Sequence, residues 1–275
     1  MTDTVNPGMD ADIFDQFLEQ LERYVRERLL PAEKQVIADD RIPDEIITEM
    51  KDMGLFGLTV PEEYGGAGLN CTQYAKVVKT MAYAAPAYRS IFSINVGMFN
   101  SAIKNGGTDA QKAEWWPKIA GGAIACFGLT EPGSGSDSAA MATTAKPDPD
   151  GNGWILNGTK RYITNAPHAD VGLIMARTEK DALPKNAHVS AFIVPMDTPG
   201  ITVRPLWTLP GGRTNEVFFE DVRVPKDTLL GKKNHGWYIG ASALNLGRAG
   251  ARRYCIYVSP FEDLLRYLRE DEIGR

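Results

Sequence analysis

The sequence predicts an α+β protein with an N-terminal all-α domain, a central antiparallel β-barrel or sandwich domain, and a short C-terminal helical part. In the first 120 residues, apolar side chains recur at steps of three and four, the period of an amphipathic helix. From residue 121, apolar runs shorten and turn-forming residues become frequent, which is typical of antiparallel β structure. From residue 233 the helical pattern returns. We therefore divide the chain into domains at residues 1–120, 121–232 and 233–275.

The N-terminal domain begins with a helix predicted over residues 10–30, where Phe14, Leu21 and their neighbours form one apolar face. Pro31 then either opens a continuation of this helix or breaks it, and both outcomes fit the pattern. Further helices are predicted over residues 44–53, 72–85, 87–105 and 109–119. Residues 55–69 contain a proline and several glycines, so this segment is predicted to be irregular.

Short strands are predicted in the central domain, separated by turn-forming residues. They cover residues 171–176, 190–195, 201–204 and 216–219. The dipeptide Asn157-Gly158 lies between two apolar runs, and this pair favours a two-residue β-hairpin turn. We therefore expect a hairpin at this position.

The C-terminal part is predicted to be helical over residues 237–257, until Ser259-Pro260 interrupts the helix before a further segment at residues 261–270. Two such helices have too little surface to form a core of their own. They are expected to pack on the β domain, on another chain or on sequence that is missing here. Their many aromatic and aliphatic side chains predict an oligomeric or poorly soluble chain, because exposed apolar patches mark interfaces.

Composition and charge argue against several classes of protein. The formal net charge is -5, with acidic and basic residues interspersed, so the sequence shows no basic patch for nucleic acid. No apolar run approaches the ~20 residues of a membrane span. The N-terminus shows neither a signal-peptide core nor an Arg-rich transit peptide, so a cytoplasmic location is expected.

The cysteines and histidines do not form a recognisable ligand set. The three cysteines are odd in number and far apart, which suits a reducing compartment and argues against a disulfide framework. The three histidines have no metal-ligand spacing with them, so no metal site is predicted. These residues are Cys71, Cys126 and Cys255, and His168, His188 and His235.

Two short segments carry the strongest functional signal. Residues 126–137 read CFGLTEPGSGSD, in which an apolar run ends at Thr130 and small residues force an irregular loop. Glycine permits close backbone approach and small hydroxyls form short hydrogen bonds, so such a loop can lie against the polar edge of a ligand. The second segment, residues 160–165, reads KRYITN. Taken alone, either segment is more often an ordinary turn or strand.

Together with the segments VPEEYGGAGL, NGTKRYITN and EVFFEDVRVP, these motifs resemble the acyl-CoA dehydrogenase family. The resemblance implies oxidation of the Cα–Cβ bond of an acyl-CoA thioester, with FAD as the cofactor that takes the hydride. It also implies an electron-transfer flavoprotein or a similar acceptor as a partner. The family fold ends in a four-helix bundle, so residues 233–275 would be the remnant of a truncated bundle. Residues 55–69 would be either a connector or part of the acyl-pocket wall.

The resemblance also implies which residues contact the flavin: Phe127, Leu129, Thr130, Ser136, Tyr162, Ile163 and Thr164. Leu129 and Thr130 would meet the isoalloxazine edge through backbone groups and the threonine hydroxyl. Ser136 would serve both the flavin and the CoA thioester. Tyr162 would lie beside the ring, where the family often has tryptophan, and Thr164 would bond near N5. The competing interpretation is that Tyr162 and Thr164 are strand residues favoured only by β propensity.

The resemblance also implies that substrate is contacted by the segment LNLGR at residues 244–248. Asn245, where the family usually has an acidic residue, and Arg248 would contact substrate. One branch of the family places its catalytic Glu at the position of Gly247 and the other branch places it beyond residue 275, so no catalytic residue is predicted here. The carboxylates nearest the motifs are Glu131, Asp137 and Glu216, and Glu131 is expected to be locked in its loop.

Four interpretations of function remain open from the sequence. The first is an acyl-CoA dehydrogenase cut short, and the second is a subunit whose bundle and base come from a partner chain. The third is a catalytically silent protein that binds flavin, acyl-CoA or other dehydrogenase subunits. The fourth is an FAD-dependent monooxygenase or oxidase, which the GSGSD loop favours less than thioester dehydrogenation.

Overall fold

A computed structural model describes residues 6–179, 188–209, 213–249, 255 and 257–270. The side chains of residues 245–249 and 270 are outside this description. Within it, helices form the N-terminal part, one sheet forms the centre, and helices follow the sheet, so the predicted α+β class is confirmed.

The first helix continues through Pro31 instead of breaking. Helix α1 (Ala11–Tyr24) runs into a π-helical turn (Val25–Leu29) and then into α2 (Leu30–Asp39). The N–H of Leu30 bonds to the carbonyl of Val25, five residues back. Pro31 therefore enters in the first turn of α2, where the absence of an N–H is tolerated.

The remaining N-terminal helices lie close to their predicted positions. They are α3 (Asp44–Asp52), α4 (Cys71–Met81), α5 (Pro86–Ser93), a π-helical turn (Ile94–Phe99), α6 (Asn100–Gly106) and α7 (Asp109–Ala120). Helices α4 and α7 each start with a capping box, from Asn70 with Gln73 and from Thr108 with Gln111. The irregular segment before α4 contains only a short 3₁₀ turn (Glu62–Tyr64).

The described strands form one eight-stranded sheet. They are β1 (Ala125–Gly128), β2 (Thr144–Pro147), β3 (Gly153–Arg161), β4 (Val171–Arg177), β5 (Val189–Pro195), β6 (Ile201–Trp207), β7 (Arg213–Pro225) and β8 (Leu229–Leu230). The order is β6-β7-β3-β2-β4-β5-β8, and β1 pairs with β4. Most pairs are antiparallel as predicted, but β1 and β2 both run parallel to β4.

The predicted hairpin at Asn157-Gly158 is wrong, because β3 passes straight through this dipeptide. The register against β7 shifts between Leu156 and Gly158, so the pair forms a β-bulge. Gly158 has φ +148°, and a Cβ there would lie 2.4 Å from Thr143 Oγ1. Asn157 fixes the bulge by accepting the N–H of Asp221 and donating to its carboxylate. Glycine is needed here for space and backbone conformation, and no chain reversal occurs.

The C-terminal helices behave differently from each other. Helix α8 (Gly236–Ala249) packs on β4, β5, α6 and the π-helical turn that ends at Phe99. Helix α9 (Val258–Glu270) follows a turn at Tyr257, so the chain is interrupted two residues before the predicted position at Ser259-Pro260. Pro260 lies in the first turn of α9, where proline is tolerated. Residues 250–254 and 256 of the predicted helix 237–257 lie outside the described residues.

Packing between the helices and the sheet positions the two motifs. One apolar cluster joins Phe99 and Ile103 to β1, β4 and β5. Strand β1 is buried except at Phe127, which is half-buried, and it leads directly into the loop that begins at Leu129. Among the described residues, no helix is long and apolar enough to cross a membrane.

Candidate functional site

The two sequence motifs meet at the ends of β1 and β3. The backbone N–H of Arg161 donates to the carbonyl of Thr130 at 2.8 Å. One residue earlier, the ammonium of Lys160 donates to the carbonyl of Leu129 at 3.1 Å. Segments separated by about 30 residues of sequence are therefore held side by side at one edge of the sheet.

The small-residue loop is a tight turn that closes on itself. Glu131 and Ser134 exchange two backbone hydrogen bonds, of 2.9 and 3.2 Å, across Pro132-Gly133. The Ser134 hydroxyl then donates to the carbonyl of Asp137 at 2.8 Å. This turn leaves Ser136 exposed on the outside of the loop.

Tyr162 and Thr164 lie beyond the end of β3 and face outward. Tyr162 has φ +63°, a left-handed conformation that is uncommon for an aromatic residue, and its side chain is 57% exposed. Ile163 is buried, whereas Thr164 is exposed. Asn215 holds the backbone of Ile163 on both sides, with N–H···O distances of 2.9 Å. The interpretation of Tyr162 and Thr164 as strand residues is therefore wrong.

Asn165 ties this segment to the helical part of the protein. It has φ +67°, and its side-chain amide donates to the carbonyl of Ile91 at 2.9 Å and to that of Ser90 at 3.3 Å. Asparagine tolerates the left-handed conformation better than most residues. No role of Asn165 was predicted from the sequence, although this residue ends the KRYITN motif.

Asn95 holds β1 in a similar way, and this role was not predicted from the sequence either. It is fully buried in the π-helical turn (Ile94–Phe99). Its side chain accepts the N–H of Ala125 at 2.8 Å and donates to the carbonyl of Ala123 at 2.6 Å. The available signal was an amide side chain within the largely apolar run of residues 91–99, where Ser93 is the other polar residue.

Glu131 and Lys160 form a buried ion pair with an N···O distance of 2.7 Å. The carboxylate also accepts the N–H of Ala142 at 2.5 Å and of Thr143 at 3.0 Å. Burial raises the pKa of Glu131, but the Lys160 ammonium and these donors outweigh it, so the pKa lies below its usual value. Burial lowers the pKa of Lys160 to about 8, against the opposing effect of the carboxylate. The expectation that Glu131 is locked in its loop is confirmed.

The other carboxylates near the motifs are in ordinary surroundings. Glu216 accepts from the guanidinium of Arg161 at 2.7 Å, across the β3–β7 pair. Asp137 is exposed at the end of the small-residue loop. Neither is placed in a desolvated pocket of the kind that prepares a general base.

The predicted substrate residues lie on α8. Asn245, Gly247 and Arg248 belong to this helix, which packs against the π-helical turn that contains Asn95. Their side chains lie outside the described residues, so their contacts are not described. Phe127 and Leu129 are half-buried and pack against the cluster that joins helices and sheet.

A cleft separates α2 and α3 from the segment that follows Tyr162. Thr164 and His168 line it from one side, and Asp40 and Arg41 line it from the other, with Arg213 between them. Arg213 pairs with Asp40 at 3.3 Å. Partial burial lowers the pKa of His168, and the positive charges of both arginines lower it further. Within the described ranges, no group of His, Cys, Asp and Glu side chains could hold a metal ion.

The chain is similar to proteins of known family. Residues 14–123 match the acyl-CoA dehydrogenase N-terminal domain, and residues 126–222 match the acyl-CoA dehydrogenase middle domain. The mitochondrial short-chain specific acyl-CoA dehydrogenase of Bos taurus is 37% identical over 252 residues, which are 90% of this chain and 60% of that protein. The chain thus spans about 60% of the length of such curated relatives.

Solved structures agree with this similarity. A chain from the structural study of the electron transferring flavoprotein of Acidaminococcus fermentans has a TM-score of 0.88 and 31% identity, covering 97% of this chain and 70% of that one. The acyl-CoA dehydrogenase of Bacillus anthracis, complexed with FAD, has a TM-score of 0.78 and 32% identity, covering 87% of this chain and 41% of that one. Matched in its N-terminal and middle domains, the chain belongs to the acyl-CoA dehydrogenase family.

Proposed function

We propose that this chain carries the FAD-contacting loops of an acyl-CoA dehydrogenase and acts in the α,β-dehydrogenation of an acyl-CoA thioester. The observation that carries the proposal is the bond from the Arg161 N–H to the Thr130 carbonyl. This bond holds the two motifs side by side, as a shared contact with one flavin would require. The site would be held by the helical residues 1–120 and the sheet residues 121–232. The helices of residues 233–275 would form the first part of its remaining wall.

The exposed groups at this edge suit a flavin. Tyr162 offers an aromatic face, and Ser136 and Thr164, which are also exposed, offer hydroxyl groups. When bound, FAD would take the hydride from the substrate Cβ. Fixed hydroxyl and amide dipoles at Thr130 and Thr164 would stabilise the negative charge that reduction places on the ring, because they need no reorganisation.

The thioester would bind next to the same loop. Ser136 is exposed where the loop turns outward, so it could face both ligands, and Asn245 and Arg248 would contact substrate from α8. An electron-transfer flavoprotein or a similar carrier would then reoxidise the flavin. No base is assigned within the described residues, since Glu131 is fully engaged by Lys160 and backbone donors.

Association with further subunits is part of the proposal. Phe261, Leu264 and Leu268 recur along α9 and are 58%, 51% and 45% exposed. Such an apolar stripe is typical of an interface. Light scattering of the purified chain should give more than the mass of a monomer, and a clean stable monomer would contradict this part.

Titration of FAD into the purified chain tests the proposal. Flavin fluorescence and the visible spectrum should change on binding, with weak affinity. Thr164→Val removes one hydrogen bond, worth about 0.5–1.5 kcal/mol, so the dissociation constant should rise about 2- to 12-fold. Thr72→Val is the matched control, because Thr72 is an exposed threonine on α4.

Two results would contradict the proposal. One is a wild-type chain that is folded by circular dichroism but leaves flavin fluorescence unchanged even at millimolar FAD. The other is a Thr164→Val variant whose affinity equals that of Thr72→Val. A Ser136→Ala variant should weaken acyl-CoA binding more than it lowers stability, which checks the thioester side separately.

A further inference from the structure

The side chain of Lys160 is completely buried beneath the junction of the two motifs. It has 0% relative exposure, and its partner Glu131 has 3%. A lysine is almost never fully buried unless it is paired. Its ammonium donates to the Glu131 carboxylate at 2.7 Å and to the Leu129 carbonyl at 3.1 Å. Lys160 therefore holds the loop from the side of strand β3.

Glu131 extends this constraint to a third segment. One carboxylate oxygen accepts the N–H of Ala142 and the other accepts that of Thr143. These residues immediately precede β2, which pairs with β3. A single ion pair thus fixes the loop, the end of β3 and the approach to β2.

Stability alone is a weak reason for this arrangement. Removing two charges from water offsets most of their attraction, and an apolar pair of similar volume is often as stable. A buried pair does restrict geometry, because any displacement leaves a charge without its partner. Glu131 directly follows Thr130, and Lys160 is two residues before Tyr162. Displacement of either charge would move a residue that faces the proposed flavin.

We propose that Lys160 is a positioning residue for the FAD site. Its ammonium fixes the backbone at Leu129 and Glu131 against β3, so that Thr130, Tyr162 and Thr164 keep one arrangement toward the ring. Lys160 acts only through its partners, because its side chain is covered on all sides. The FAD part of this inference rests on the proposed function.

The test compares Lys160→Met with a matched core variant. Methionine keeps an unbranched apolar side chain as far as the Cε position and removes the ammonium. Val222→Ala is the control, because Val222 is fully buried in the same sheet, opposite Leu156 and outside both motifs. Both variants are studied at a temperature where circular dichroism shows them folded.

The first measurement is amide hydrogen exchange of the FAD-free chain, followed by mass spectrometry. Lys160→Met should raise exchange at least tenfold in peptides covering residues 129–137 and 160–165. In Val222→Ala, the exchange rates of these two peptides, each normalised to the rest of the sheet, should stay within about twofold of the wild-type values. If Lys160→Met does not fold, Glu131→Gln removes the charge of the carboxylate at nearly equal volume, leaves the Lys160 ammonium without its ionic partner and should raise exchange in the same peptides at least threefold.

The second measurement is the FAD dissociation constant with the spectrum of the bound flavin. Lys160→Met should weaken binding at least tenfold and alter the spectrum, whereas Val222→Ala should change affinity less than twofold. Unchanged exchange in both peptides overturns the inference whether or not FAD binds, and so does unchanged FAD binding by a folded Lys160→Met variant. A wild-type chain that binds no FAD, while Lys160→Met still loosens both segments, overturns the FAD site and supports the anchoring role of Lys160.

Discussion

The side chain of Asn95 holds Ala125 at the first residue of strand β1. Its carbonyl oxygen accepts the Ala125 N–H at 2.8 Å while its amide donates to Ala123, two residues earlier, at 2.6 Å. Asn95 belongs to the π-helical turn between α5 and α6. Such turns widen a helix locally and are frequent at functional sites. A helix of the N-terminal part therefore sets the position of the strand that leads into the small-residue loop.

Asn95→Leu should destabilise the protein strongly. Leucine has a similar volume but leaves the buried Ala125 N–H and the partly buried Ala123 carbonyl without their partner. Each unsatisfied group costs about 1–3 kcal/mol. Urea unfolding of the chain measures the loss.

The control for this substitution is Asn105→Leu. Asn105 is exposed, and its hydrogen bonds go to the hydroxyls of Ser101 and Ser242. Water can replace them, so a loss within about 0.5 kcal/mol is expected. Equal losses in the two variants would show that Asn95 is not the clamp described here.

Much of the fold was predictable because local pattern decides it. Helices α3 and α7 follow the apolar period and their end signals within one or two residues. The strand pattern likewise located β4 and β5. The strand β7 was predicted much too short, since its outward-facing polar residues break the apolar run over a length of 13 residues.

The candidate site was predictable only in part, because its geometry depends on partners distant in sequence. The exposed loop residues could be found from the motif. Lys160 could not be recognised as buried, since its partner Glu131 lies 29 residues away and nothing local marks the pair. The hairpin prediction at Asn157-Gly158 was wrong for the same reason, because the close contact with Thr143 that requires glycine is a tertiary contact.

Gly158→Ala should lower the stability of the protein more than alanine does at a positive-φ glycine with free space around it. The new Cβ would lie 2.4 Å from Thr143 Oγ1 and 2.6 Å from Thr143 Cα, so backbone must move. Overpacking of this kind costs about 1–3 kcal/mol, in addition to the strain of φ +148°. Thermal unfolding followed by circular dichroism measures the change.

Gly151→Ala provides the comparison. Gly151 also has a positive φ, +75°, but an added Cβ would meet nothing within 4 Å. Only the conformational cost of about 1–2 kcal/mol should appear. A Gly158→Ala variant no less stable than Gly151→Ala would contradict the close contact with Thr143.

At acid pH the protein should lose stability, in part because the Glu131 carboxylate becomes protonated. Its pKa is lower in the folded state than in the unfolded chain, where it is near 4.5. The stability that it contributes is therefore complete above about pH 4.5 and is lost as the pH falls through the folded-state pKa. The difference in unfolding free energy between wild type and Glu131→Gln should shrink as the pH falls from 5 toward 3. Urea unfolding at each pH measures it, and a difference that does not change with pH would count against the ion pair.

His168 should also make the stability of the protein depend on pH, in a range above that of Glu131. Its pKa is lowered by partial burial and by Arg213 and Arg41, with Asp44 opposing them. Above pH 6.5 the imidazole is neutral in both states and contributes nothing. As the pH falls through 6.5, the unfolded chain binds a proton that the folded protein does not, so stability decreases until the folded-state pKa is reached.

His168→Gln should remove this part of the pH dependence. Between pH 7 and pH 5, the wild type should lose more stability than the variant in urea unfolding. The imidazole resonance of His168, identified by its absence in the variant, should titrate below pH 6.5 in NMR spectra. Added salt should bring the titration closer to 6.5, because the two guanidinium groups act across a solvent-accessible cleft and a Debye length of about 10 Å at 0.1 M falls to about 3 Å at 1 M. A resonance that titrates at or above 6.5 in low salt would show that Arg213 and Arg41 do not face the imidazole as the cleft geometry requires.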